Sequence, residues 1–330
     1  MSTPLVPAIE QAVTLDHIRA AAARLAAVAV TTPVMRAPVL DDHTGGQVLV
    51  KCENLQRTGS FKFRGAYNAL ACLPPERLTR GVIAFSSGNH ALAVAIAAAM
   101  LNTTALIVMP ADAPPTKLAA VKHLGATVVT FDRYSDDRFA LTNQLAAERD
   151  LTLIPPYDHH DVIAGAATTT LQLLEQTGPV DVLVLPLGGG GQLAGAGVVT
   201  AALSPHTRLI GVETATGDKN RRSLQAGRRV RIPVPRTIAD GVTGEIPGEL
   251  TFPLIQQHVD EILVVDDKEI TTALAVLFDQ LKLVVEPSGA LATAAVLAGR
   301  VNAQGQRTAV VLSGGNINLA RLHSLLQPTR

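Results

Sequence analysis

The sequence predicts an α/β protein of two domains, each a mostly parallel sheet with helices on both faces and a cleft between them. Three observations carry this prediction. From residue 81 onward, short β-branched runs alternate with longer alanine- and leucine-rich stretches, the pattern of consecutive βαβ units. A proline-rich seam, Pro155-Pro156-Tyr157, divides the alternation into two blocks. Two loops of small residues, FSSGNH in the first block and LGGGGQ in the second, each stand between a strand and a helix.

In the first block GVIAF (81–85) reads as a strand and HALAVAIAAAML as a helix. TALIVM (104–109) is the next strand, and PTKLAAVKHLG is a helix closed by Gly125. ATVVTF (126–131) follows as a strand, then a helix over roughly 134–148, then the strand LTLIP. In the second block DVLVLP (181–186), TRLIGVE (207–213), EILVV (261–265) and RTAVVLS (307–313) are strands with helices between them. Residues 214–250 are the least regular part. No internal repeat or low-complexity segment interrupts the pattern. The small domain is placed at 76–155 and carries the SSGNH loop; the large domain is built from 1–75 and 156–330.

A chain of 330 residues is long enough for a full core. With 28 basic and 28 acidic residues it carries no electrostatic footprint for nucleic acid or an anionic membrane, and with 3% aromatics it has no base-stacking surface. Its longest apolar run, Ala91 to Leu101, is too short to span a bilayer. Cys52 and Cys72 have neither metal-ligand spacing nor the count of a disulfide framework. The N-terminus lacks a basic segment followed by an apolar one, so no signal peptide is expected and a cytoplasmic location is.

Within LGGGGQLAGAG, four consecutive glycines leave bare backbone N–H groups at a helix start, which suits a phosphate. Gly189 to Ala194 equally fits the G-x-G-x-x-A dinucleotide fingerprint, with Glu213 about 20 residues on as the ribose acid, and both readings stand on this stretch alone. FSSGNHALAVA gathers hydroxyls, an amide and an imidazole at another helix start, suited to a carboxylate, or more simply to a helix capped by Ser87 or Asn89. In TGSFKFRGAYNAL, Lys62 lies between two phenylalanines. A lysine in that setting ordinarily snorkels to water. With Ser60 as the cap, however, it falls in the first helical turn, where the helix dipole and burial by Phe61 and Phe63 lower its pKa toward the neutral amine that a Schiff base requires.

Five motifs in order, SFKFRGAYNAL, SSGNHALA, GGGGQLAG, EPSGALA (286–292) and LSGGNIN (312–318), closely resemble the serine/threonine dehydratase and serine racemase family of pyridoxal-phosphate enzymes. This is the fold-type II, tryptophan synthase β-like group. IAG at 163–165 and TIADG at 237–241 are also in register, so the likeness covers nearly the whole chain. The resemblance implies that Lys62 carries pyridoxal 5'-phosphate as a Schiff base and that Gly188, Gly189, Gly190 and Gly191 bind its phosphate. It places Asn89 on the ring hydroxyl and Ser313 at the pyridine nitrogen. It also places Ser86, Ser87, Asn89 and His90 around the substrate carboxylate.

The implied activity is a dehydratase, or ammonia-lyase, acting on a β-hydroxy amino acid such as threonine or serine. Lys62 removes the α-proton, the β-hydroxyl leaves, and the product hydrolyses to a 2-oxo acid and ammonia. In racemase members the serine matching Ser87 is the acid or base on the opposite face, so Ser87 is a second catalytic candidate and an amino-acid racemase the alternative reading. Outside the class, the alternative is a nucleotide-binding α/β protein. A homodimer is implied, and no appended regulatory domain is expected.

Two positions depart from the family pattern. The usual glycine-glutamine-glycine-threonine is here Gly165-Ala166-Ala167-Thr168. Many relatives hold a divalent cation through the glutamate matching Glu213, a backbone carbonyl at about Gly217 and an acid at the position of Lys219; lysine there removes a ligand and adds a positive charge, so no metal is expected, and Glu213, with Asp218 swinging in, is the candidate ligand set if one binds.

Overall fold

Strand DVLVLP shows how the sheets form. Val182 and Val184 enter one apolar cluster while Leu183 and Leu185 enter another, because successive side chains on a strand leave opposite faces. A strand buried on both faces therefore reads as an unbroken apolar run. The computed structural model describes residues 13–327 apart from Ser87, Pro114 and Arg133. Its strands are β1 (Val34–Arg36), β2 (Gln47–Cys52), β3 (Val82–Phe85), β4 (Ala105–Pro110), β5 (Thr127–Phe131), β6 (Thr152–Leu153), β7 (Val182–Pro186), β8 (Arg208–Thr214), β9 (Glu261–Val265) and β10 (Arg307–Leu312).

The strands make two sheets. One has six strands in the order β1-β2-β10-β7-β8-β9, parallel throughout except for the antiparallel β1–β2 pair. The other has four, all parallel, in the order β5-β4-β3-β6. The α/β class and the parallel sheets follow the sequence reading. The four-stranded sheet is drawn wholly from residues 82–153, inside the segment assigned to the small domain. Each sheet has an apolar cluster on either face: Val82 and Ala84 join one in the small sheet, Ile83 and Phe85 the other.

β1 and β2 were not expected. β2 carries Lys51 on a fully buried face, where its ammonium donates to Thr32 O, Gln172 Oε1 and Gln176 Oε1, each at 2.8 Å. Those three acceptors satisfy a charge that in sequence marks the segment as exposed. The helix expected from about 134 begins at Arg138, because the Asp137 carboxylate accepts from Phe139 N and Ala140 N and caps it there. Among the described residues no helix is long and apolar enough to cross a membrane.

Candidate active site

Parallel strands present their carboxyl ends on one side of a sheet, and the loops leaving those ends form a shared crevice. Here Gly188–Gly191 follow β7, Ser313 follows β10 and Ser86 follows β3. All of them line one cavity with Lys62, Asn89 and His90. The sequence-predicted catalytic, cofactor and substrate residues that the structure describes are thus brought together, Glu213 does not line this cavity, and Ser87 lies outside the described residues.

Lys62 is the first residue of the helix Lys62–Ala71, as expected, but Ser60 does not cap it. The cap position is Phe61, without a side-chain bond, and the buried Ser60 hydroxyl has no partner among the described residues. The helix is held instead by Arg64, whose guanidinium makes a two-pronged contact with the fully buried Glu53 (Nε to Oε2 2.7 Å, Nη2 to Oε1 2.8 Å). At its crossing with the helix His160–Thr177, a Cβ on Gly165 would fall 2.5 Å from Arg64 O, so the two backbones touch. Ala166, at the first departure from the family pattern, lines the cavity. Lys62 Nζ donates to Pro156 O at 2.6 Å, and removal from water pushes its pKa down to about 8.

The glycine loop leads into the helix Gly191–Leu203, with Gly190 in the left-handed region at φ 98°. A Cβ on Gly189 would lie 2.1 Å from the Tyr157 ring. Glycine is thus needed on steric as well as conformational grounds. The loop's carbonyls are also held: Gly189 O accepts from Thr251 Oγ1 at 2.8 Å, and Gly188 O from Asn220 Nδ2 at 2.9 Å.

Glu213, the acid of the dinucleotide reading, is fully buried and engaged. It accepts from Lys219 Nζ (3.1 Å), Asn220 N (3.1 Å), Asn220 Nδ2 (2.7 Å) and Arg221 N (3.0 Å), the last three at the start of the helix Lys219–Ala226. A carboxylate so occupied has no capacity for a ribose, and the dinucleotide reading falls. The same donors occupy it as a metal-ligand candidate, while Asp218 pairs with Arg222 at 2.7 Å.

On either side of Ser87, Gly88 N donates to Ser86 Oγ at 3.1 Å, and Gly88 is the cap residue of the helix Asn89–Met100. Asn89, one of the two expected caps, is instead the first helical residue, and Ser87, the other, lies outside the described residues. The buried His90 ring places Nε2 2.9 Å from Ile154 O. A carbonyl only accepts, so Nε2 carries the hydrogen and Nδ1, which has no partner among the described residues, is an acceptor. Burial first, then the nearby Lys62 charge, push the His90 pKa down to about 3, so the ring stays neutral. In this tautomer the ring offers a carboxylate no donor. Asn89 Oδ1 accepts from Asn316 Nδ2 at 2.8 Å, and Asn89 Nδ2 donates to Glu286 Oε1.

Sequence reasoning missed Tyr157, Asn220 and Glu286. The motif EPSGALA contains Glu286, but nothing local marks its partner. Lys117 and Asp240, which both line the cavity, pair at 2.8 Å and were also unassigned.

A family model described as pyridoxal-phosphate dependent enzyme matches residues 26–314. The chain belongs to this family. It is 48% identical to an L-threo-3-hydroxyaspartate ammonia-lyase of Pseudomonas sp, over 93% of this chain and 96% of that one. It is 41% identical to a serine racemase of Schizosaccharomyces pombe, over 93% and 95%. Among solved structures, a threonine deaminase from T.th. superimposes with a TM-score of 0.87 at 42% identity, covering 93% of this chain and 99% of that one. The protein is a pyridoxal-phosphate enzyme of the dehydratase-type lyase class. The cavity suits the cofactor: a glycine loop at a helix start for a phosphate, and a lysine of lowered pKa for its aldehyde.

Proposed function

We propose that the protein eliminates water from a β-hydroxy amino acid and that 3-hydroxyaspartate is the preferred substrate. The observation that carries this reading is Arg138. Its guanidinium lies 4.9 Å from the Phe139 ring centre and 5.7 Å from that of Phe85, and it lines the same cavity as Lys62. Among the described residues no carboxylate lies within ion-pair distance of it. A half-buried, unpaired guanidinium gains most from a substrate with a second carboxylate and little from the methyl group of threonine. The 48% identity to a hydroxyaspartate ammonia-lyase agrees.

When bound, the cofactor supplies the electron sink that makes the α-proton acidic. The chain's own groups do the rest. Lys62 Nζ, neutral once free, takes the proton from Cα as general base. The helix start at Asn89 and the Ser86 hydroxyl hold the α-carboxylate, Asn89 holds the cofactor's ring hydroxyl, Gly188–Gly191 hold its phosphate and Ser313 faces its ring nitrogen. The Cα–H and Cβ–O bonds break as a Cα=Cβ bond forms, the departing hydroxyl takes up one proton, balancing the one Lys62 removed, and leaves as water, and a further water hydrolyses the enamine to a 2-oxo acid and ammonia.

Racemisation at Cα is the second reading, favoured by the serine racemase relative and by Ser87, the candidate for the opposite face. The test is a panel of serine, threonine and 3-hydroxyaspartate isomers, scored for oxo acid, ammonia and enantiomer. Fastest ammonia release from a 3-hydroxyaspartate isomer supports the proposal. Inverted amino acid as the main product, or a preference for threonine, contradicts it.

A further inference from the structure

A chain of hydrogen bonds with one allowed direction runs across the site. It starts at Thr58 O, a backbone carbonyl in the bend before Lys62, which can only accept. Asn316 Nδ2 donates to it at 2.7 Å, which fixes which end of the Asn316 amide is the NH2 group. The second hydrogen of that group goes to Asn89 at 2.8 Å, so the Asn89 atom facing it must be the oxygen. The Asn89 NH2 group then faces the carboxylate of Glu286, which receives one of its hydrogens. Among the described residues nothing else accepts from Asn89, which lines the cavity, so its second N–H is left for the cavity.

We propose that Glu286 is a positioning residue that, with Asn316, locks the Asn89 amide so that its remaining N–H faces the cofactor's ring oxygen. Glu286 is buried, lines the cavity and is given its space by a glycine: a Cβ on Gly314 would sit 2.3 Å from Glu286 Oε1 and 3.1 Å from Asn89 Nδ2. Burial first, then the charge of Asp240, push the Glu286 pKa up to about 7, while Lys117 and the Asn89 bond act the other way. A carboxyl oxygen accepts from Asn89 in either ionisation state, so the lock persists through that titration. An amide left to turn over would present an oxygen to the cofactor's ring oxygen.

The inference rests on Asn89 meeting the ring oxygen, and the experiment separates the two. Apoprotein variants are titrated with pyridoxal phosphate, reading the dissociation constant and the visible absorbance of the bound cofactor. Glu286→Ala is expected to weaken binding roughly tenfold, the effect of one lost bond to a charged or buried group, whereas Glu286→Gln, which keeps an acceptor, stays near the parent value. Asn316→Asp, which places an acceptor against the Asn89 oxygen, is expected to weaken binding as Glu286→Ala does. In an Asn89→Ala background the Glu286→Ala effect disappears, because both changes act on one bond. An undiminished Glu286→Ala effect in that background, or equal losses for the Ala and Gln variants, overturns the inference. An Asn89→Ala variant that binds normally would instead remove Asn89 from the cofactor site.

Discussion

Lys219 Nζ lies 3.1 Å from Glu213 Oε1, and both side chains are fully buried. The lysine opens the helix Lys219–Ala226, where the dipole disfavours a positive charge. Glu213 compensates by accepting from the same helix start, and through Asn220 the pair reaches the carbonyl of Gly188. At the position where the family resemblance implies a metal-ligating acid, this chain carries the side-chain ammonium of Lys219. Removing one partner of such a pair leaves a buried charge uncompensated and costs roughly 3–5 kcal/mol.

Lys219→Met is therefore expected to lower the melting temperature and weaken cofactor binding, since the glycine loop loses its support. Activity and melting temperature of the unmodified enzyme are expected to be unchanged by EDTA, magnesium or calcium, while Lys219→Asp becomes responsive to those ions. Loss of parent activity on chelation, restored by magnesium, would refute the role given to Lys219.

Because burial lowers the Lys62 pKa to about 8, the neutral amine grows as pH rises through that value. The rate at which apoprotein takes up pyridoxal phosphate is expected to climb about tenfold per pH unit below that point and to level above it. The sign for stability is the same. The unfolded chain keeps the Lys62 proton up to its ordinary 10.5, so this group's destabilisation is complete below 8 and is relieved between 8 and 10.5. An uptake rate independent of pH from 6 to 9 would contradict the assignment.

Arg138→Ala is expected to reduce kcat/KM for 3-hydroxyaspartate by roughly 10- to 100-fold, the range for losing a hydrogen-bonded charge pair, and to leave threonine and serine nearly unaffected. Kinetics on the three substrates check this. Equal losses on all three would mean that Arg138 shapes the cavity and does not select a second carboxylate.

The strands from β3 to β10 were legible because strands buried on both faces read as apolar runs bounded by turn residues. β2 was hidden by Lys51, whose three acceptors come from residues 19, 121 and 125 positions away. In the site, Lys62, the SSGNH loop and the glycine loop were legible because each is a local pattern of strand end, small residues and helix start. Glu286 was not, since its partner Asn89 is 197 positions distant and only the meeting of the two sheets' loops joins them. The Ser60 cap failed for a local reason: the bend at 57–59, with Thr58 at φ 63°, leaves Phe61 at the cap position.

The central claim is that Lys62 carries the cofactor. Two lysines have pKa values pushed down to about 8, the half-buried Lys62 and the buried Lys51, but of the two only Lys62 lines the cavity. Borohydride reduction of the holoenzyme, followed by digestion and mass mapping, tests the claim most directly. The predicted result is a pyridoxyl group on Lys62 in the peptide around SFKFR, and its absence from Lys62→Ala together with loss of the visible absorbance. A pyridoxyl group on Lys51, Lys117 or any other lysine of the parent enzyme would contradict the account.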